Sequence, residues 1–140
     1  MKQSSKFYYQ TKILEHHIDI FGHVNNAITL QILEIARWDF ITQGNFGVNY
    51  IKEKNIGPVI LELGVRFKKE LLLREDIEIV SINYWDEKSI WMETVQEIYK
   101  KNSHQLATVA KFKVGMMDLK KRKLMDFPDD WKMAVGFSVE

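Results

Sequence analysis

"AITLQILEIARWDFITQG", Ala27 to Gly44, decides the architecture. Ile28, Ile32, Ile35, Ala36 and Phe40 recur at the spacing of one helical stripe, and Leu30, Leu33 and Ile41 widen it. The pattern predicts a helix of about four or five turns, apolar over most of its circumference and therefore buried. Asn25 or Asn26 is suited to cap its start, because a short side-chain oxygen accepts from the first free amides. Gly44 is suited to close it. A buried helix has to be wrapped, and the rest of the chain offers strands to do it.

Upstream, "KFYYQTKIL" (Lys6 to Leu14) is rich in aromatic and β-branched residues and reads as a strand. Downstream, after the loop "NFGVNYIKEKNIG", comes "PVILELGVRFKKEL", in which Val59, Leu61, Leu63, Val65 and Phe67 alternate with Ile60, Glu62, Gly64, Arg66 and Lys68. That period of two is the mark of a half-buried strand. "EDIEIVSINYW" (Glu75 to Trp85), "IWMETVQEIYK" (Ile90 to Lys100) and "QLATVAKFKVGMMDL" (Gln105 to Leu119) follow, joined by the short turns "DEKS" and "KNSH". Turns that short imply an antiparallel meander. "FPDDW" has the proline and acids of a helix start. The order predicts one α+β domain over residues 1–140, an antiparallel sheet curled around a single helix. A lone curved sheet leaves its edges open, so a homodimer or homotetramer is expected.

Composition narrows the function. Of the 140 residues, 46% are apolar and 28% charged, an ordinary globular balance. With no cysteine, no disulfide or thiolate nucleophile is available. The N-terminal "MKQSSKFYYQ" lacks the apolar core of a signal peptide, and no run of about 18 apolar residues is present to span a bilayer. A cytoplasmic protein without a membrane partner is the expectation. A net charge of +1 argues against nucleic acid, although "RFKKE" (Arg66 to Glu70) and "LKKRK" (Leu119 to Lys123) are locally basic.

The chemistry concentrates just before the helix, in "DIFGHVNN", Asp19 to Asn26. Each residue has an ordinary use: Asp19 and Gly22 in a turn, Asn25 and Asn26 as caps, His23 as a satisfied polar side chain. Together at a strand-to-helix junction they offer more. The first helical amides are unpartnered and carry the positive end of the helix dipole, which suits a carbonyl oxygen or an anion. Asp19 could face the same point across the bend made by Gly22, setting a carboxylate base or nucleophile against an electrophilic clamp. His16, His17, Asp19 and His23 also cluster, but adjacent histidines point apart on an extended strand and no usual ligand spacing is present, so no metal is expected.

"HHIDIFGHVNNAITLQILEIARWDFI" closely resembles the signature of the 4-hydroxybenzoyl-CoA thioesterase-like branch of the hotdog-fold acyl-CoA thioesterases, Asp-x-x-Gly-His-Val-Asn-Asn followed by a helix with Glu-x-Ala-Arg. "GPVILELGVRFKKEL" and "DIEIV" resemble that family's next strands. The resemblance implies the hotdog fold and hydrolysis of an acyl-CoA or acyl-carrier-protein thioester, with no cofactor beyond the coenzyme A of the substrate. It maps the family's carboxylate onto Asp19, which would attack the carbonyl or activate water, and the oxyanion-holding amide onto Asn26. His23 and Asn25 would line the mouth and orient the thioester. Glu34 and Arg37 would pair one turn apart as a structural feature. Thr29 stands where the family commonly carries tyrosine, which points to a different acyl lining. Arg66, Lys68 and Lys69 are candidates for the phosphates of coenzyme A. A hotdog hydratase or dehydratase, or an acyl-CoA-binding protein without turnover, are the competing readings.

Overall fold

The computed structural model describes residues 1–139. The chain runs β1 (Lys2–Lys12), a single 3-10 turn (Glu15–His17), α1 (Asn26–Gln43), α2 (Val48–Lys54), β2 (Ile56–Phe67), β3 (Asp76–Trp85), β4 (Trp91–Lys100), β5 (Leu106–Asp118), β6 (Lys123–Met125) and α3 (Asp129–Ala134). All pairings are antiparallel, in the order β1-β3-β4-β5-β2. β6 pairs residues 116–118 of β5, just beyond the last residue paired with β4. The sheet wraps α1 as expected.

Alternation explains which face meets the helix. Ile77, Ile79, Ser81 and Asn83 of β3 and Met92, Thr94, Gln96 and Ile98 of β4 are buried against it. On α1 the buried set is Thr29, Ile32, Leu33, Ala36, Phe40 and Ile41. Phe7 of β1 stacks on Phe40 with ring centroids 4.5 Å apart. The helix is less enclosed than its composition suggests: Gln31, Glu34 and Ile35 face outward, and Ile35 is 53% exposed. Ile35 lies one residue from Ala36, so it is turned by about 100° from the buried stripe.

Four features depart from the sequence reading. β1 begins at Lys2 rather than Lys6, paired to Trp85 through a register shift between Gln3 and Lys6. The loop after α1 contains α2, seven residues between Gly47 and a left-handed Asn55 (φ 55°), too short to show a period. β6 is three residues long and equally silent. In β2 a bulge between Ile60 and Glu62 shifts the alternation. Pro58, Ile60, Leu63, Val65 and Phe67 therefore sit opposite the inward residues of β5, and the expected inward set of Val59 and Leu61 fails before the bulge.

"LKKRK" forms the turn from β5 to β6, where Asp118 Oδ1 accepts the N–H groups of Lys120 and Lys121 at 3.0 Å each. The Lys121 N–H bond first, then the Lys120 bond and the two lysine charges, hold the Asp118 carboxyl below its usual range against an opposing effect of desolvation. Among the described residues no helix is long and apolar enough to cross a membrane.

Candidate active site

The helix entry is built as two short turns. In the first, Leu14 N–H donates to His17 Nδ1 at 2.9 Å and the His16 and His17 rings sit 4.0 Å apart. Burial and then the neighbouring His16 lower the His17 pKa. This pair organises the chain, and among the described residues no group of three or more metal-ligating side chains converges.

In the second turn Ile18 and Val24 form an isolated antiparallel bridge, and Asp19 N–H donates to the His23 carbonyl at 3.2 Å. Gly22 N–H donates to the Asp19 carbonyl at 3.1 Å. Asp19 Oδ1 accepts Phe21 N–H at 2.9 Å, an Asx turn. Gly22 has φ +84° with open space around it, so the backbone angle is what requires glycine. Asp19 Oδ2 lies outside these bonds.

Asn25 caps α1. Its Oδ1 accepts Ala27 N–H at 2.8 Å, and its carbonyl accepts Thr29 N–H and Thr29 Oγ1 at 2.9 and 3.2 Å. Among the described residues the Asn26 N–H has no protein acceptor. An open cavity of about 320 Å³ lies at this helix mouth, with His23, Asn26, Thr29, Lys68 and Lys69 on its wall. Asp19, Gly22, Asn25 and Arg66 are not on that wall: the first three shape the turn and cap beside it. Arg66 pairs with Val109 on the sheet face opposite to Phe67 and Thr108.

Glu70 and Thr108 also line the cavity, with Val24, Phe67 and Leu71 as its apolar part. Glu70 directly follows the basic pair in "RFKKE", so its place was open to inspection, but nothing local joins it to His23. Thr108 is 1% exposed on β5, and its role depends on strand register alone.

Further along α1, Arg37 does not pair with Glu34. Its Nη1 donates to Gln96 Oε1 at 3.0 Å, and its guanidinium carbon lies 4.2 Å from the centre of the Phe112 ring. Burial lowers the Arg37 pKa, with the Glu34 charge acting in the opposite sense. The structural role expected of Arg37 is kept and its partner changes.

The sequence profile described as the Thioesterase-like superfamily matches residues 13–135, almost the whole fold and all of the helix mouth. The chain belongs to that superfamily. Among relatives of this thioesterase-like chain is the long-chain acyl-CoA thioesterase FadM of Escherichia coli (strain K12), 31% identical over 72 residues. That match takes in 51% of this chain and 54% of FadM, so it spans about half the length of the curated relative. The crystal structure of YbaW, a probable thioesterase from Escherichia coli, superposes with a TM-score of 0.81 at 24% identity, covering 92% of this chain and 98% of that one. Slr0204, a 1,4-dihydroxy-2-naphthoyl-CoA thioesterase from Synechocystis, superposes with a TM-score of 0.83 at 17% identity, covering 94% and 96%. At those identities the two structures speak for the fold, and the thioesterase-like chain has the hotdog architecture, a sheet wrapped on one helix.

Proposed function

We propose that this protein hydrolyses acyl-CoA thioesters to a free acid and coenzyme A. The observation that carries the reading is the cavity at the start of α1, whose wall brings Asn26, its N–H without a protein acceptor among the described residues, together with His23, Lys68 and Lys69. Membership of the thioesterase-like superfamily and the likeness to FadM support the reaction class. A carbonyl oxygen at the Asn26 N–H gains most when it becomes an oxyanion, because the donor is already in place and needs no reorganisation. Lys68 and Lys69 offer two cations to the phosphates of coenzyme A, and both backbone N–H groups bind the Ala107 carbonyl, which fixes where the side chains start.

Asp19 is the proposed carboxylate. Its Oδ1 is anchored by Phe21 N–H, so Oδ2 is the oxygen that attacks the thioester carbonyl or draws a proton from water. The turn that carries it is bonded to His23, which lies on the cavity wall. Thr29, small and buried at that wall, leaves room where a tyrosine would fill it. A second copy of the chain along β2 completes the proposed assembly.

Thiol release from a panel of acyl-CoAs tests the reaction. Asp19→Asn is expected to reduce kcat on the order of a hundredfold or more, and full activity in that variant removes Asp19 from the chemistry. Single-turnover hydrolysis in oxygen-18 water separates the two routes: label in the Asp19 carboxylate marks attack by Asp19, and label in the product alone marks activated water. Tight acyl-CoA binding with no thiol release over hours identifies a binding protein instead.

A further inference from the structure

Glu70 meets His23 through a backbone arrangement that involves neither side chain. Val24 N–H donates to the Leu71 carbonyl at 3.0 Å, and both residues are buried. The residues just before the two ends of that bond are His23 and Glu70, so the bond sets them side by side at the cavity. Lys68 N–H and Lys69 N–H, both on the Ala107 carbonyl at 2.8 and 3.1 Å, fix the chain as it approaches Glu70. Glu70 Oε1 then lies 3.9 Å from His23 Nδ1, with the two side chains 70% and 32% exposed. The ring of Phe21 stands near the imidazole, centroids 6.2 Å apart.

A pair this open adds little to the stability of the fold. It gains strength when a substrate fills the cavity and displaces water, because the same charges then interact through a lower dielectric. The gap exceeds a hydrogen bond, and an exposed glutamate side chain can close it by a change of rotamer.

We infer that Glu70 is a positioning residue for His23, its carboxylate holding Nδ1–H so that Nε2 is turned to the sulfur of a bound thioester. The inference rests on the thioester-hydrolase reading and assigns the proton in it. An oxygen nucleophile adds to the carbonyl, the C–S bond breaks with its electron pair on sulfur, and the imidazolium Nε2–H gives its proton to that thiolate. The neutral imidazole regains a proton from the water that supplies the second oxygen of the acid. The other proton of that water passes to solvent, so thioester and water yield carboxylate, thiol and one proton. Glu70 takes up no proton in these steps and orients the ring.

The test compares wild type, Glu70→Gln, Glu70→Asp, His23→Asn and the Glu70→Gln/His23→Asn double variant on one hydrolysed acyl-CoA. Glu70→Gln is expected to lower kcat about tenfold or more with KM unchanged. Glu70→Asp recovers most of the loss, and the double variant is no slower than His23→Asn alone. Because Glu70 is exposed, the thermal midpoint of Glu70→Gln stays at the wild-type value. Wild-type kcat in Glu70→Gln, or losses that multiply in the double variant, would overturn the assignment while leaving the hydrolase reading intact. A wild type that releases no thiol from any acyl-CoA overturns the hydrolase reading and this inference with it.

Discussion

Gln96 has 0% exposure and joins three parts of the core by its amide. Its Nε2 donates to the Leu33 carbonyl and to Ser81 Oγ, both at 3.1 Å, while Oε1 accepts from Arg37. Arg37 forms no ion pair with a carboxylate among the described residues, so its direct partners are Gln96 and the face of Phe112, while the Glu34 charge, beyond ion-pair distance, offsets part of the effect of burial. Replacing Gln96 by leucine takes the acceptor away from a guanidinium that cannot shed its charge, at a cost of about 3 kcal/mol. The expected fall in thermal midpoint is roughly 10 °C for a chain of this size. The Arg37→Met/Gln96→Leu double variant should recover part of that loss, since removing both partners leaves no stranded charge. Independent, fully additive losses in a calorimetric cycle would show that the two side chains do not act together. Sequence could not anticipate this contact, because Gln96 occupies an inward position of β4 where the alternation predicts an apolar residue. It could anticipate "DIFGHVNN", whose turn glycine, Asx aspartate and cap asparagine bond within a few residues of one another. Glu70 and Thr108 join that site only through long-range backbone pairing.

Among the elements, α1 and the meander were legible because each repeats its period several times, whereas α2 and β6 end before a period can register. The close of α1 is instructive. Gly44 closes the helix as its C-cap, but with φ −80°, and the positive φ falls one residue later at Asn45, at 66°. What requires glycine is α3. A Cβ on Gly44 would stand 2.6 Å from Ala134 Cα and 2.8 Å from its Cβ and carbonyl oxygen. Two backbones in contact cannot give way as a flexible side chain would, and α3 is held elsewhere. Trp131 Nε1–H donates to Met92 Sδ, the Val135 carbonyl accepts from Asn83 Nδ2, and Asp130 accepts from the Tyr50 hydroxyl of α2. That last bond pushes the Tyr50 pKa up to about 12, chiefly because the phenol donates to the carboxylate. Gly44→Ala should therefore displace α3 and destabilise the protein by about 1–3 kcal/mol. Chemical denaturation reads the loss, and an alanine variant as stable as wild type would mean that α3 slides along α1 without penalty.

At the scale of the whole molecule, the five-strand path β1-β3-β4-β5-β2 ends in two long edge strands, and they differ in kind. β1 carries Lys2, Lys6 and Lys12 together with a register shift between Gln3 and Lys6, devices that discourage pairing with another strand. β2 is 12 residues long and exposes Ile60, Leu61, Leu63 and Phe67, apolar side chains that one chain leaves uncovered. Phe67 is also part of the cavity wall, so a copy docked along β2 would lie beside the proposed site. Edge pairing there satisfies backbone groups and covers apolar surface in a single step, which favours a twofold dimer. Sedimentation should give twice the mass of the 16.6 kDa chain. Leu63→Lys places a charge in the middle of that edge, on the face turned to α1, and should shift the protein toward monomer while the far-ultraviolet spectrum of the fold is kept. The monomeric form should also lose thiol release, because the wall near Phe67 then opens to water. A Leu63→Lys variant that sediments as wild type excludes β2 as the joining edge, and a monomer that retains full turnover confines the site to one chain.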